Sequence, residues 1–422
     1  MKSSAAHNGL NQEALIKPDG RLLENCDIFM MDLLATVPYY TAYLSRALLT
    51  AGARLNVGSI SYYLDPNCFA SRNLKLRPGC LDVVGRYPSL PRSSRRLFKL
   101  IELTLNLAAL SLRSLVRAPS VIHIQYLPLL RWPLPIDLRF VQLAKERGSA
   151  LVLTVHDLLP HDTADRYKAI FHDVYQQMDA LICHSDHIKK RLQLEFGISD
   201  RKVHVIPHGP FFYDLPLSQN YDVRAKYGIP ASRQIVLWQG IIFPYKGLDI
   251  LIDAWQQIER RGDEAHLLVV GTGSPELLGE VRSQVARLGL RNVTLDLRFT
   301  STEELVSIYR AADIVVYPYR AITTSGALAT GLSLGKTIIA SDLPVFRELL
   351  TDKKNALMVL PGDAAKLSQA LGSLLDDEVL RRHLSDEVKA MDFGAQSWQK
   401  IAASTLDVYR SALAERSSRP HS

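Results

Sequence analysis

Short apolar runs alternate with amphipathic stretches through most of this 422-residue chain, and that alternation limits its fold more than any other feature. An apolar run of four to seven residues between polar segments suits a strand buried on both faces. Strands separated by helices form parallel sheets covered on each side. Six strands are expected at Asp27 to Leu33, Arg54 to Ile60, Ser120 to Tyr126, Ala150 to Val155, Ala180 to Cys183 and Lys202 to Ile206. After a linker near Gly209 to Asp222, six more are expected at Gln234 to Gln239, Ala265 to Val270, Asn292 to Asp296, Ile314 to Tyr317, Lys336 to Ala340 and Ala356 to Val359. The length exceeds one ordinary core, so the two series predict two α/β domains, each a doubly wound parallel sheet of the Rossmann-like kind. The predicted boundaries are a disordered polar tail at 1–25, a first domain at 26–210, a second at 211–395, and a closing segment at 396–422. Within that segment the amphipathic stretch Trp398 to Ala414 follows a completed sheet; crossing back onto the first domain would tie the halves together.

Ser61 to Arg95 breaks the rhythm with Pro66, Pro78, Pro88 and Pro91, and predicts a long irregular insertion. The formal charge of +7 is concentrated nearby. Between Arg86 and Arg117 lie Arg92, Arg95, Arg96, Lys99 and Arg113 against one acid, Glu102, interleaved with leucines. Such a helix suits either an anionic bilayer surface or a core-facing position with a solvated basic end. Nucleic acid is not expected as a partner, since Tyr87 and Phe98 are the only aromatics in that stretch and no recognition module is present. No apolar run approaches the roughly 20 residues that span a bilayer. A polar N-terminus and four scattered cysteines, Cys26, Cys68, Cys80 and Cys183, predict a cytoplasmic protein without disulfides or a metal.

In open α/β sheets the connecting loops and helix N-termini gather ligands at the carboxyl ends of the strands. Gly240 to Gly247 follows one strand and precedes a helix, placing Lys246 where an ammonium meets a diphosphate or else stands in solvent. Tyr317 to Gly326 ends another strand in small, hydroxyl-rich residues, so backbone amides at Ser325 and Gly326 and the hydroxyls of Thr323, Thr324 and Ser325 can receive phosphate oxygens or form a plain helix cap. Arg320 adds a guanidinium suited to phosphate geometry. Gly271 and Gly273 mark a tight turn, and Arg298-Phe299-Thr300 offers backbone groups and an aromatic edge to a nucleobase, with Phe299 equally suited to the core. His156, at the end of the strand Ala150 to Val155, projects toward the expected cleft, where an imidazole can bind a sugar or developing charge, or serve structure alone. His161, His184 and His208 also lie near strand ends or turns.

Together these segments resemble the GT-B glycosyltransferases of family four, which include bacterial polysaccharide and lipid glycosyltransferases. The resemblance runs from Leu151 to Tyr409 and rests on Thr154-Val-His-Asp157, Cys183-His-Ser185, Val205-Ile-Pro-His-Gly209, Gly240 to Gly247, Val269 to Gly273, Ala311 to Pro318, Ser325-Gly326 and Gly335 to Asp342. It implies two Rossmann-like domains facing a cleft, a nucleotide-diphosphate sugar held by the second, a glycan or lipid-linked acceptor held by the first, and a crossover helix in Trp398 to Tyr409. It further implies transfer of a hexose with retention of configuration, without a metal or cofactor, with Lys246 and the amides near Ser325 and Gly326 on the diphosphate and His156 on the donor sugar. Ile322 and Thr330 stand where many members carry a pair of glutamates. Ile241, Ile242 and Phe243 replace the usual basic residue, and Leu33 to Pro38 lacks the usual glycines. These departures place the chain in a divergent branch, as an enzyme or as a catalytically weak subunit that binds sugar nucleotide or a partner transferase.

Overall fold

The computed structural model describes residues 26–87, 91–130, 135–160, 164–215, 221–262, 264–391 and 393–417. The predicted tail at 1–25, the extreme C-terminus, His161 and the side chains of Arg92 and Arg96 lie outside the described residues.

The first sheet contains β1 (Asp27–Met31), β2 (Arg54–Gly58), β3 (Val121–Ile124), β4 (Ala150–Thr154), β5 (Ala180–Cys183) and β6 (Val203–Val205), in the order β2-β1-β3-β4-β5-β6. The second contains β7 (Gln234–Gln239), β8 (Ala265–Val270), β9 (Val293–Asp296), β10 (Ile314–Tyr317), β11 (Thr337–Ser341) and β12 (Leu357–Val359), in the order β12-β11-β10-β7-β8-β9. Every strand pair is parallel. All twelve expected strands are present, each ending within two residues of its predicted limits. β4, β8, β10 and β11 are buried along their whole length, as strands covered on both faces must be.

The helices of the first half are α1 (Pro38–Thr50), α2 (Val83–Arg86), α3 (Arg92–Val116), α4 (Ile136–Glu146), α5 (Lys168–Gln177) and α6 (Asp186–Phe196). Those of the second are α7 (Val223–Tyr227), α8 (Leu248–Arg261), α9 (Pro275–Leu288), α10 (Thr302–Ala311), α11 (Gly326–Ser333), α12 (Pro344–Arg347), α13 (Ala364–Asp376), α14 (Glu378–Ala390) and α15 (Ala395–Ser417). Several begin at a side-chain cap. Ser185, Ser274, Ser301 and Ser325 each accept an amide N–H from three residues ahead, which satisfies one of the donors orphaned at a helix start.

One apolar cluster runs without a break from the first sheet to the second, through Tyr40, Tyr43, Phe211, Phe212 and Trp398. Trp398 belongs to α15, which leaves the second domain and packs on α1 and β4 of the first. Its indole N–H donates to Pro210 O at 2.7 Å, and its ring lies so close to Gly209 that a Cβ there would stand 2.4 Å from it. Further along, the Tyr409 hydroxyl meets His123 Nδ1 at 2.7 Å. The closing segment thus crosses back onto the first domain.

The insertion is shorter than predicted, because α3 already begins at Arg92 and α2 interrupts it. Its loops are pinned to the inner face of α3. The Asn106 side chain receives the amides of Cys80 and Leu81 at 2.9 and 2.8 Å, and Glu102 receives those of Val83 and Val84 at the start of α2. The outer face of α3 is apolar and open: Leu97, Ile101, Leu105, Leu112 and Val116 share it, with Leu97 60% and Val116 89% exposed. Among the described residues, no helix is long and apolar enough to cross a membrane.

Candidate active site

In each sheet the strand order reverses at one point, between β1 and β3 in the first and between β7 and β10 in the second. Adjacent strands there send their following segments to opposite faces and leave a crevice at their carboxyl ends. A cavity of about 410 Å³ lies between the domains and is walled by residues following β1, β4, β6, β7, β8, β9 and β10.

Of the residues singled out from sequence, His156, Gly240, Lys246, Gly271, Phe299, Thr300, Thr324 and Gly326 line this cavity. Gly240 has φ +152°, and a Cβ on it would approach Lys246 Nζ to 2.9 Å, so the lysine folds back across the glycine. Gly247, at φ +64°, then opens α8; a side chain there would collide with Pro318 O, which brings the loop after β7 against the loop after β10. Burial lowers the Lys246 ammonium to about 8, while the Asp157 carboxylate on the first-domain wall acts in the opposite direction. An anion arriving at this lysine would restore its full charge.

Gly326 begins α11, and a Cβ on it would meet the Phe211 ring at 2.8 Å. The absence of a side chain lets the helix start approach the linker that follows β6, and Thr324 and Gly326 stand on the cavity wall. Ser325 is not itself in the lining; its hydroxyl accepts from Leu328 N at 3.1 Å and holds the start of the helix. Gly273 also stands outside, against Ile242. Arg320, expected on a phosphate, is engaged elsewhere. Its guanidinium forks onto Asp249 at 2.8 and 2.6 Å and donates to Pro244 O, while its backbone N–H donates to Tyr245 O. It braces the Lys246 turn from outside the cavity.

Thr300 lines the cavity as a residue, while its Oγ1 is buried without a hydrogen-bond partner within the protein. Phe299 reaches Tyr62 of the insertion, ring centroids 6.3 Å apart. Ile322 and Thr330, the two positions lacking carboxylates, both line the cavity; the Thr330 hydroxyl turns back to Gly326 O at 2.9 Å.

On the first-domain wall four histidines, His123 and His156 buried and His184 and His208 partly buried, gather toward the carboxyl ends of successive strands. Tyr40 lies at their centre, with its ring 4.8 Å from His156, 5.2 Å from His184 and 5.1 Å from His208. His123 stands behind them and bridges Tyr409 and Thr154, with both contacts at 2.7 Å. Burial holds all four rings below their ordinary range, His123 and His208 at about 3 and His184 at about 4, so they are neutral. His156 Nε2 donates to Gln125 Oε1 at 3.0 Å, which leaves its Nδ1 lone pair. Among the described residues, no group of three His, Cys, Asp or Glu is placed to hold a metal.

Asp32, at the end of β1, accepts the amides of Thr36 and Val37 at 2.7 and 3.1 Å and the Thr41 hydroxyl at 3.1 Å. This single carboxylate shapes the cavity segment Thr36 to Tyr40 without the glycines expected there. Sequence reasoning passed over Asp32, Tyr40 and His123. A polar residue ending or interrupting an otherwise apolar strand was the one available sign.

Hydrogen bonds also join the domains. Tyr39 and Thr302 both donate to Asp65 Oδ2, at 3.1 and 2.6 Å. Glu348 of the second domain receives the amides of Asp186 and His187 at the start of α6, at 3.0 and 2.9 Å.

The model of glycosyltransferase family 4 matches residues 37–209, and that of the glycosyl transferases group 1 matches residues 233–377. A D-inositol 3-phosphate glycosyltransferase of Xylanimonas cellulosilytica is 26% identical over 301 residues, 68% of this chain and 69% of that protein. Two other curated relatives align over only 59% and 54% of their own lengths. Among solved structures, sucrose-phosphate synthase from Thermosynechococcus elongatus superposes with TM-score 0.70 at 21% identity, covering 92% of this chain and 99% of its own. Anabaena HepE, solved in complex with UDP-glucose, superposes with TM-score 0.68 at 18% identity, covering 90% and 99%. The likeness to both structures is one of fold.

Proposed function

The chain belongs to the family 4 glycosyltransferases of GT-B fold, and from that premise we propose that it transfers a hexose from a nucleotide-diphosphate sugar to a glycan or lipid-linked acceptor. The observation that carries this reading is the convergence of Lys246 and the start of α11 on one cavity wall, opposite His156 and Asp157. The ammonium and the amides near Thr324 and Gly326 neutralise the diphosphate as it leaves, a stabilisation that grows as the glycosidic bond breaks. His156 contacts the donor sugar from the first domain. On this reading Lys246 and these amides supply the charge with no metal or cofactor, and the transfer retains configuration, as the family resemblance implies. The exposed apolar face of α3, with Arg113 beside it, is the surface that would rest on anionic lipid at the cytoplasmic side of a membrane, where polysaccharide intermediates are extended. Nucleic acid has no part in this function.

Release of nucleoside diphosphate from a panel of sugar nucleotides tests the reaction. Turnover with one donor supports it; binding without release from any of them would leave the second reading, a weakly catalytic subunit, which Ile322 and Thr330 favour. Leu105→Glu with Leu112→Glu should free the protein from anionic vesicles, and unchanged sedimentation would make the α3 face structural.

A further inference from the structure

A second, smaller chamber of about 60 Å³ adjoins the cleft on the first-domain side, and His156 and Asp157 belong to the walls of both. It lies at the carboxyl ends of β3 and β4 under α5, with Leu127, Leu130, Leu153, Val155, Phe171 and Val174 forming most of its surface. Among the described residues, three of its polar neighbours are bonded within the protein. Gln125 is bonded to His156 and Met30, Thr154 to His123, and the Tyr175 hydroxyl donates to Leu158 O at 2.7 Å. A water needs two to four polar partners and roughly 15 Å³ for its centre, and away from the His156 and Asp157 side the described lining offers mainly carbon to hold one. It is built for a few carbon atoms.

We propose that the chamber is a specificity subsite that receives a small apolar substituent, of about three or four heavy atoms, carried by a substrate lying in the cleft. This rests on the reading of the cleft as the site of transfer. A short alkyl group on the acceptor and the acetamido methyl of a donor sugar share the required chemistry. Either enters past His156, and its burial fixes the depth and rotation of the sugar that bears it. The chamber therefore discriminates among sugars that the diphosphate contacts, all on the second domain, treat alike.

The test follows the methyl NMR signals of Leu130, Leu153, Val155 and Val174 and the dissociation constants of two ligand pairs. Butyl and methyl β-glucoside report an acceptor substituent; UDP-N-acetylglucosamine and UDP-glucose report a donor one. The larger member of at least one pair should shift those methyls and bind on the order of tenfold tighter. Val174→Ile and Leu130→Phe should each erase that preference while the affinity for UDP stays within twofold. Phe171→Ala should move the optimum toward longer chains, and melting curves identify any variant that fails to fold. Preference in the first pair assigns the group to the acceptor, in the second to the donor. No preference in either pair, or a preference that the filling substitutions leave intact, overturns the proposal. UDP binding, read separately, tells whether the donor site itself has failed.

Discussion

Lys246 crosses Gly240 so closely that a Cβ at the glycine would stand 2.9 Å from the lysine Nζ. A side chain at position 240 would therefore push the ammonium from its place over the bare backbone.

Lys246→Ala should weaken nucleotide-sugar binding by about 2 kcal/mol, the usual worth of a hydrogen bond to a charged group, and should lower turnover further. Because the free lysine titrates near 8, wild-type affinity should hold below that pH and fall as pH rises past it, by up to tenfold per unit. Calorimetry at pH 7 and pH 9 measures both. A variant with the same pH dependence as the wild type would remove Lys246 from the diphosphate.

His156→Ala should lower kcat by about a hundredfold while leaving the affinity for the nucleotide alone within a few-fold, since the ring faces the cleft from the first domain. Equal losses for nucleotide and nucleotide sugar would instead make it a structural histidine. Far-ultraviolet spectra and melting curves separate the two cases.

Thr302→Val preserves shape and removes one of the two hydroxyls on Asp65. Loss of this contact between the domains should cost about 1 kcal/mol and show as a raised KM for donor, with small-angle scattering reporting a more open average shape. No change in either would confine the contact to local support of the insertion.

Acid should destabilise the fold through the clustered histidines. Rings that titrate at about 3 to 4 when folded but near 6.5 when unfolded bind protons preferentially in the unfolded chain. Stability is therefore full above 6.5 and is lost as pH falls toward 4, by roughly 1 kcal/mol per pH unit for each ring. Asp32, raised to about 6 by burial, opposes this between 6 and 4, because there the folded state binds the extra proton. The melting temperature should fall across that window, and His208→Gln should flatten the slope. An unchanged slope would show that these rings keep ordinary titration in the fold.

Much of the architecture was legible because buried parallel strands are written as uninterrupted apolar runs, with Ala150–Thr154 and Ala265–Val270 as clear cases. The lysine turn and the start of α11 were legible for a related reason: both follow a strand and precede a helix. Arg320 was misleading, since residue type announces what a guanidinium can bind but not that Asp249, far away in sequence, already occupies it. The Tyr40 and histidine assembly and the Asp65 contact with Thr302 were hidden for the same reason. Each is made by residues that only the folded chain brings together.

The final helix also sets the order in which the molecule can be completed. Tyr409 emerges from the ribosome 286 positions after His123, and Trp398 comes 188 positions after Pro210. Until those last residues are synthesised, the first domain presents an unmatched apolar surface over Gly209 and an imidazole without its phenol. A chain halted after β12 would hold both complete sheets and still lack a finished first half. Such a product is the one a cell's proteases and chaperones should recognise first.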